Sequence, residues 1–187
     1  MYARLLLCSL FASSLAAPLA KQDGSQRQTW EPATGSKTTC DKQSDKIMGF
    51  YAGPQMDTVI NDACAAMMPG CAYQERLDPD IMCIQTVTWP LKGPVRSVQS
   101  ANVETSEGNK ISGWDVEFSV TPAPQPADSA GVFWTKKDCY GYFAHMLEKW
   151  EPEGCHTNKG FGVGKITVGG EDTLKDTVFE VTIVPEK

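Results

Sequence analysis

The sequence contains no long apolar run. Its most hydrophobic stretch, Leu5-Leu6-Leu7-Cys8-Ser9-Leu10-Phe11-Ala12, falls well short of the roughly 20 residues that a membrane-spanning helix requires. An apolar C-terminal tail of the kind that precedes a lipid anchor is also missing. Basic charge is in deficit: Lys and Arg total 17 against 23 Asp and Glu, a formal net charge of −6. Phosphate recognition needs the opposite balance, so nucleic acid is not expected as a partner. Only two histidines occur, His145 and His156, and the cysteines form no CxxC pair. Zinc ligands normally come in close pairs because both must reach one ion, so no metal or other cofactor is expected. There is no N-x-[ST] sequon, no GxSxG elbow, no HExxH helix and no GxxxxGK[ST] phosphate loop.

Hydrophobic residues make up 41% of the 187 positions and charged residues 21%, which is the composition of a folded chain rather than a disordered one. Residues 1–17 combine Arg4, the short apolar run and a small-residue end at Ala16-Ala17. That pattern predicts a secretory signal peptide and an exported, extracellular protein without a transmembrane anchor. Cleavage would remove Cys8 and leave six cysteines: Cys40, Cys64, Cys71, Cys83, Cys139 and Cys155. An even number in an exported chain implies three disulfides, and six cysteines allow fifteen connectivities, so the pairing stays open. Residues 18–40 are polar apart from Trp30 and read as a flexible leader, with a single domain over 41–187.

Two helices are expected. Over Asp57–Met68, Val59, Ile60, Ala63, Cys64 and Met67 share one face at helical spacing; Asp57 can cap the start and Pro69-Gly70 stops the run. The second begins at Thr135-Lys136-Lys137-Asp138, a capping box in which Thr and the acid three residues on satisfy free N–H groups. Cys139, Phe143, Met146, Leu147 and Trp150 form its apolar stripe, and a disulfide from a helix to the sheet or a loop would pin such packing. Alternation predicts strands over Trp114–Val120 and Phe179–Ile183 and, more weakly, over Cys83–Trp89, Val95–Thr105 and Phe161–Val168. The resulting fold class is α+β: an antiparallel sheet of about five strands with two helices packed on one face, stabilised by disulfides.

Candidate chemistry is sparse. The glycines of Gly160-Phe161-Gly162-Val163-Gly164-Lys165 lie on a strand-like alternation, where they ease a bulge or close packing. His145 falls off the apolar stripe of its helix and reads as solvent-facing, while His156 adjoins Cys155 in a loop. A secreted ribonuclease or hydrolase would need them as an acid–base pair, and no phosphate-binding cluster accompanies them. Asp78 and Asp80 flank Pro79, a turn signature before it is a glycosidase carboxylate pair. Lys136 and Lys137 read as a solvated face. Among the tryptophans, Trp114 and Trp150 fall on core-facing stripes and Trp134 precedes a helix cap, which leaves Trp30 and Trp89 as the residues able to stack on sugar.

The order Trp134, Asp138-Cys139, a helix, Cys155, the glycine-rich segment from Lys159-Gly160 and a final strand resembles a cysteine-rich module of secreted fungal proteins. Such modules occur as small effector-like proteins and attached to some fungal chitinases. The helix–strand order over residues 56–184 is also similar to the α/β sandwich of fungal killer toxins and necrosis-inducing effectors. Where that family carries a cysteine in its last strand, this chain has Val178-Phe179-Glu180. The resemblance implies no catalytic residue. It implies a virulence-type or toxin-like protein that binds a host or microbial protein, with binding to cell-wall chitin or glucan as the alternative. Surface loops would carry the contact, with Asp41–Gln55, Leu77–Met82 and Thr121–Ala130 the first candidates.

Overall fold

The computed structural model describes residues 30–50 and 54–187, so the signal-peptide expectation and most of the leader lie outside the described residues. Ten strands and two α-helices follow one another as β1 (Lys37–Cys40), β2 (Lys46–Gly49), α1 (Met56–Met67), β3 (Trp89–Pro90), β4 (Val95–Gln99), β5 (Val103–Thr105), β6 (Trp114–Thr121), β7 (Phe133–Trp134), α2 (Lys136–Glu148), β8 (Gly160–Phe161), β9 (Gly164–Thr167) and β10 (Val178–Pro185). A 3-10 segment, Gly70–Arg76, follows α1. The main sheet is antiparallel with strand order β1-β9-β10-β6-β4, and two smaller sheets, β5-β2-β8 and β3-β7, lie beside it. The expected α+β class with a five-stranded antiparallel sheet is what the chain forms.

Alternation explains the centre of this sheet. β6 and β10 pair along eight residues each, and Val116, Phe118 and Val120 share the inner face with Phe179 and Val181. Glu117, Ser119, Glu180 and Thr182 occupy the opposite face. The helices cover the inner face: α1 lies over β4, α2 over β9 and β10, and the two helices touch. Phe143 of α2 meets Phe118 and Phe179 edge-on at 5.1 and 5.3 Å, and Tyr142 stacks on Phe179 at 4.7 Å. Edge-to-face pairs suit the ring quadrupole, so the aromatic cluster fixes orientation as well as burying area.

Local signals set the helix ends unevenly. At α2 the capping box forms: the Asp138 N–H donates to Thr135 Oγ1 at 3.0 Å, and the Asp138 carboxylate accepts from the Thr135 N–H at 2.8 Å. All five stripe residues of α1 are buried. Its N-cap is Gln55, with no side-chain hydrogen bond, so Asp57 does not cap the helix. Asp57 lies in the first turn and accepts the Tyr140 hydroxyl hydrogen bond at 2.8 Å, which ties the helices together.

Several expectations are corrected. The leader does not extend to residue 40: Trp30 packs on α2, and Lys37–Cys40 is the edge strand β1, paired with β9. An edge strand satisfies its backbone on one side and needs no apolar stripe, which is why composition hid it. Only Trp89 of the Cys83–Trp89 run is strand, as the first residue of β3. Val95–Thr105 divides into β4 and β5, which join different sheets, and Phe161–Val168 divides likewise between β8 and β9. The close-packing reading of the glycines holds: a Cβ on Gly160 would lie 2.3 Å from the Met48 carbonyl oxygen, and one on Gly164 2.4 Å from that of Thr39. Trp150 is not core. α2 ends at Glu148 and Lys149 is extended, so the helical spacing that placed Trp150 on the stripe stops before reaching it.

The disulfides are Cys40–Cys155, Cys64–Cys139 and Cys71–Cys83. The second joins helix to helix rather than helix to sheet or loop. The first ties β1 to the turn after α2. The third closes a surface loop.

Candidate functional site

A groove of about 880 Å³ opens between α1, the 3-10 segment, the start of α2 and the loop leading to β3. It is lined by Trp89, Ala72 and Val87 together with the polar Gln74, Glu75, Lys136 and Lys137. Trp89 is half-buried because β3 sets it directly across from the buried Trp134 of β7. One of the two expected stacking residues therefore lies in the groove. The other does not. Trp30 packs flat on α2, where a Cβ on Gly141 would come within 2.2 Å of its ring, and its edge contact with Tyr142 is at 4.7 Å. Gly141 is the residue that lets the two approach.

Most polar groups of the groove are already engaged. Lys136 Nζ pairs with Glu75 and sits 4.0 Å above the Tyr73 ring, and the Arg76 guanidinium lies 5.2 Å from the same ring while pairing with Asp62 at 2.7 Å. These contacts clamp the 3-10 segment onto both helices. The hydrogen bond with Lys136 holds the Glu75 carboxyl below its ordinary range. Burial pushes the Tyr73 phenol up to about 12. Burial and the hydrogen bond to Asp57 push Tyr140 higher than the ordinary phenol range. The Thr135 hydroxyl is committed to Asp138. Among the described residues, the Gln74 and Lys137 side chains form no hydrogen bond or ion pair.

The loop beside the groove concentrates exposed apolar side chains. Cys71 in the groove wall is bonded to Cys83, and the chain around Cys83 presents Ile81, Met82, Ile84 and Val87 at 51, 96, 83 and 79% exposure. The Asp78-Pro79-Asp80 segment is a turn closed by the Ile81 N–H donating to the Asp78 carbonyl at 3.0 Å, as its composition indicated. Large aliphatic side chains held at such exposure are costly in water. The expected contact loop Leu77–Met82 covers only the first half of this segment. Thr121–Ala130 is an exposed loop without such side chains, and part of Asp41–Gln55, residues 51–53, lies outside the described residues. Ile84 and Val87 were missed because the run containing them reads as a strand; the exposed fate of an apolar run that lacks a pairing partner is not written in its period.

The two histidines line different depressions: His145 lies with Glu31 and Glu153, His156 with Trp150 and Lys42. His145 is half-buried rather than solvent-facing, and burial lowers its pKa. No group of three or more His, Cys, Asp or Glu side chains among the described residues could hold a metal ion, and no described helix is long and apolar enough to cross a membrane. No protein-family model, curated protein or solved structure matches the chain.

Proposed function

We propose that the protein is exported and acts outside the cell as an effector- or toxin-like binding protein, gripping a host or microbial protein with the loop 77–88 and the adjoining groove. The observation that carries this reading is the exposure of Ile81, Met82, Ile84 and Val87 on either side of Cys83, whose bond to Cys71 closes the segment 71–83. An apolar centre bordered by Gln74, Lys137 and paired charges has the anatomy of a protein contact, with a dry middle and a polar rim. Exposed disulfide-braced loops on a buried α+β frame suit a role carried by binding rather than turnover, and the frame suits a protease-rich extracellular medium. The test is saturable binding of the labelled mature protein to candidate host cells and competing microbes, before and after the cell surface is shaved with protease. The reading predicts that shaving removes the binding sites that the loop engages, so that binding to shaved cells is clearly reduced. Undiminished binding to shaved cells would remove a protein partner from the account.

A further inference from the structure

The tryptophan that helical spacing assigns to the core is the one the fold presents to solvent. Trp150 is 54% exposed and lies in a depression of about 560 Å³, a volume within the roughly 300–1,000 Å³ typical of small-ligand sites. Its position is fixed from several sides. The Trp150 carbonyl accepts from the N–H groups of Glu153 and Gly154, both at 3.0 Å, and the His156 N–H donates to the Lys149 carbonyl at 2.9 Å. The indole stands edge-on to the His156 ring at 4.4 Å, and that ring in turn meets Phe161 at 5.5 Å. The neighbouring Cys155 is anchored to β1 through Cys40. A mobile surface tryptophan would lose entropy on binding a ligand; the ordered backbone and the His156 contact reduce that loss here.

The facing wall is built with equal definition. Thr157 Oγ1 donates to the Gly160 carbonyl at 2.8 Å and accepts from the N–H groups of Lys159 and Gly160 at 3.2 and 3.0 Å. This closed turn presents Asn158, whose amide has no partner among the described residues and offers both a donor and an acceptor. Charges around the depression are mixed and partly neutralised, with Lys42 paired to Glu151 at 3.1 Å. Asp41 and Glu151 stand with Lys42, Lys46 and Lys159 around the depression, so a charged group of either sign meets a like charge there; an apolar ligand would strip water from Asn158 and the ion pair. A ring with one C–H face and a border of hydroxyls meets both demands, packing on the indole and hydrogen-bonding to the amide and carboxylate.

From this geometry we infer that the Trp150 depression is a binding site for a neutral saccharide, separate from the loop 77–88 surface. The indole is the stacking platform, Asn158 and Glu151 bind hydroxyls, and His156 is a positioning residue. The experiment is retention of the full mature protein on insoluble chitin, β-1,3-glucan and cellulose, with competition by the matching soluble neutral oligosaccharide at two salt concentrations. Retention on at least one polysaccharide is expected, relieved by the oligosaccharide and insensitive to salt. Trp150→Ala should weaken it by about tenfold, and Trp150→Phe, which keeps a ring, by clearly less. Because Trp150 is half in solvent, both variants should melt with the wild-type protein, and Met82→Glu with Ile84→Glu should leave retention unchanged. The inference is overturned if the wild-type protein passes through all three matrices, if salt alone elutes it, or if Trp150→Ala is retained as well as wild type. None of these results bears on the loop, whose reading depends on shaved-cell binding.

Discussion

Two disulfides of the same protein sit in opposite surroundings. Cys64–Cys139 joins α1 to α2 with both cysteines fully buried, next to the Phe118–Phe143–Phe179 cluster. Cys71–Cys83 spans 12 positions with both cysteines partly exposed; Ile81 and Met82 lie within the loop it closes, and Ile84 and Val87 just beyond it. The first bond reinforces contacts that hydrophobic burial already favours. The second holds side chains where burial would never leave them. The comparison teaches that one covalent device can reinforce a buried core in one place and hold exposed apolar side chains in another, and that its surroundings decide which.

The largest expected effect separates the two bonds directly. Under the chain-entropy account, closing 75 residues with Cys64–Cys139 is worth about 4–5 kcal/mol and closing 12 with Cys71–Cys83 about 3 kcal/mol. Cys64→Ala with Cys139→Ala also leaves a void between the helices, so a large loss of unfolding free energy is expected in urea melts. Cys71→Ser with Cys83→Ser should cost less, because a surface loop can loosen without opening the core, but it should abolish partner binding and expose residues 77–88 to protease. Equal losses in the two melts would break the comparison.

A smaller effect is expected at the frame alone. Thr135→Ala removes the cap of α2 and should cost about 1 kcal/mol, read as a lower melting temperature, while binding stays intact. The smallest concerns pH. Burial holds His145 below its ordinary 6.5, so on acidification the unfolded chain takes up that proton first. The stability contributed by the neutral ring is present above 6.5 and is lost as pH falls from there toward the folded value. Glu148 acts in the opposite sense: burial raises it above its ordinary 4.5, so its contribution falls as pH rises through that window. From pH 7 to 5 the His145 contribution should therefore fall, and His145→Gln should remove that part of the pH dependence of the melting temperature; an unchanged slope would contradict this assignment.

The frame was largely legible in the sequence, because it is made of periodic signals. Val59, Ile60, Ala63, Cys64 and Met67 fall on one face of a helix wherever that helix packs, and Trp114–Val120 alternates as only a half-buried strand does. Thr135 and Asp138 form a local motif that needs no tertiary information. The functional surfaces were not legible, for a related reason. Trp150 lies two residues past the end of its helix, where extending a 3.6-residue period gives the wrong side. Ile84 and Val87 belong to an apolar run whose fate depends on whether another strand is available to pair with it. Trp30 was free of any periodic constraint, and only the absence of a side chain at Gly141 reveals where it docks. Pairing among the six cysteines likewise follows from the finished fold and not from their spacing.

The central claim is that the loop 77–88 carries binding while the buried frame carries stability, and a single pair of readouts on the variant Met82→Glu with Ile84→Glu tests it most directly. The account predicts a melting temperature equal to that of the wild-type protein together with loss of protease-sensitive binding to target cells. Unchanged binding, or a melting temperature that falls in step with binding, would contradict it.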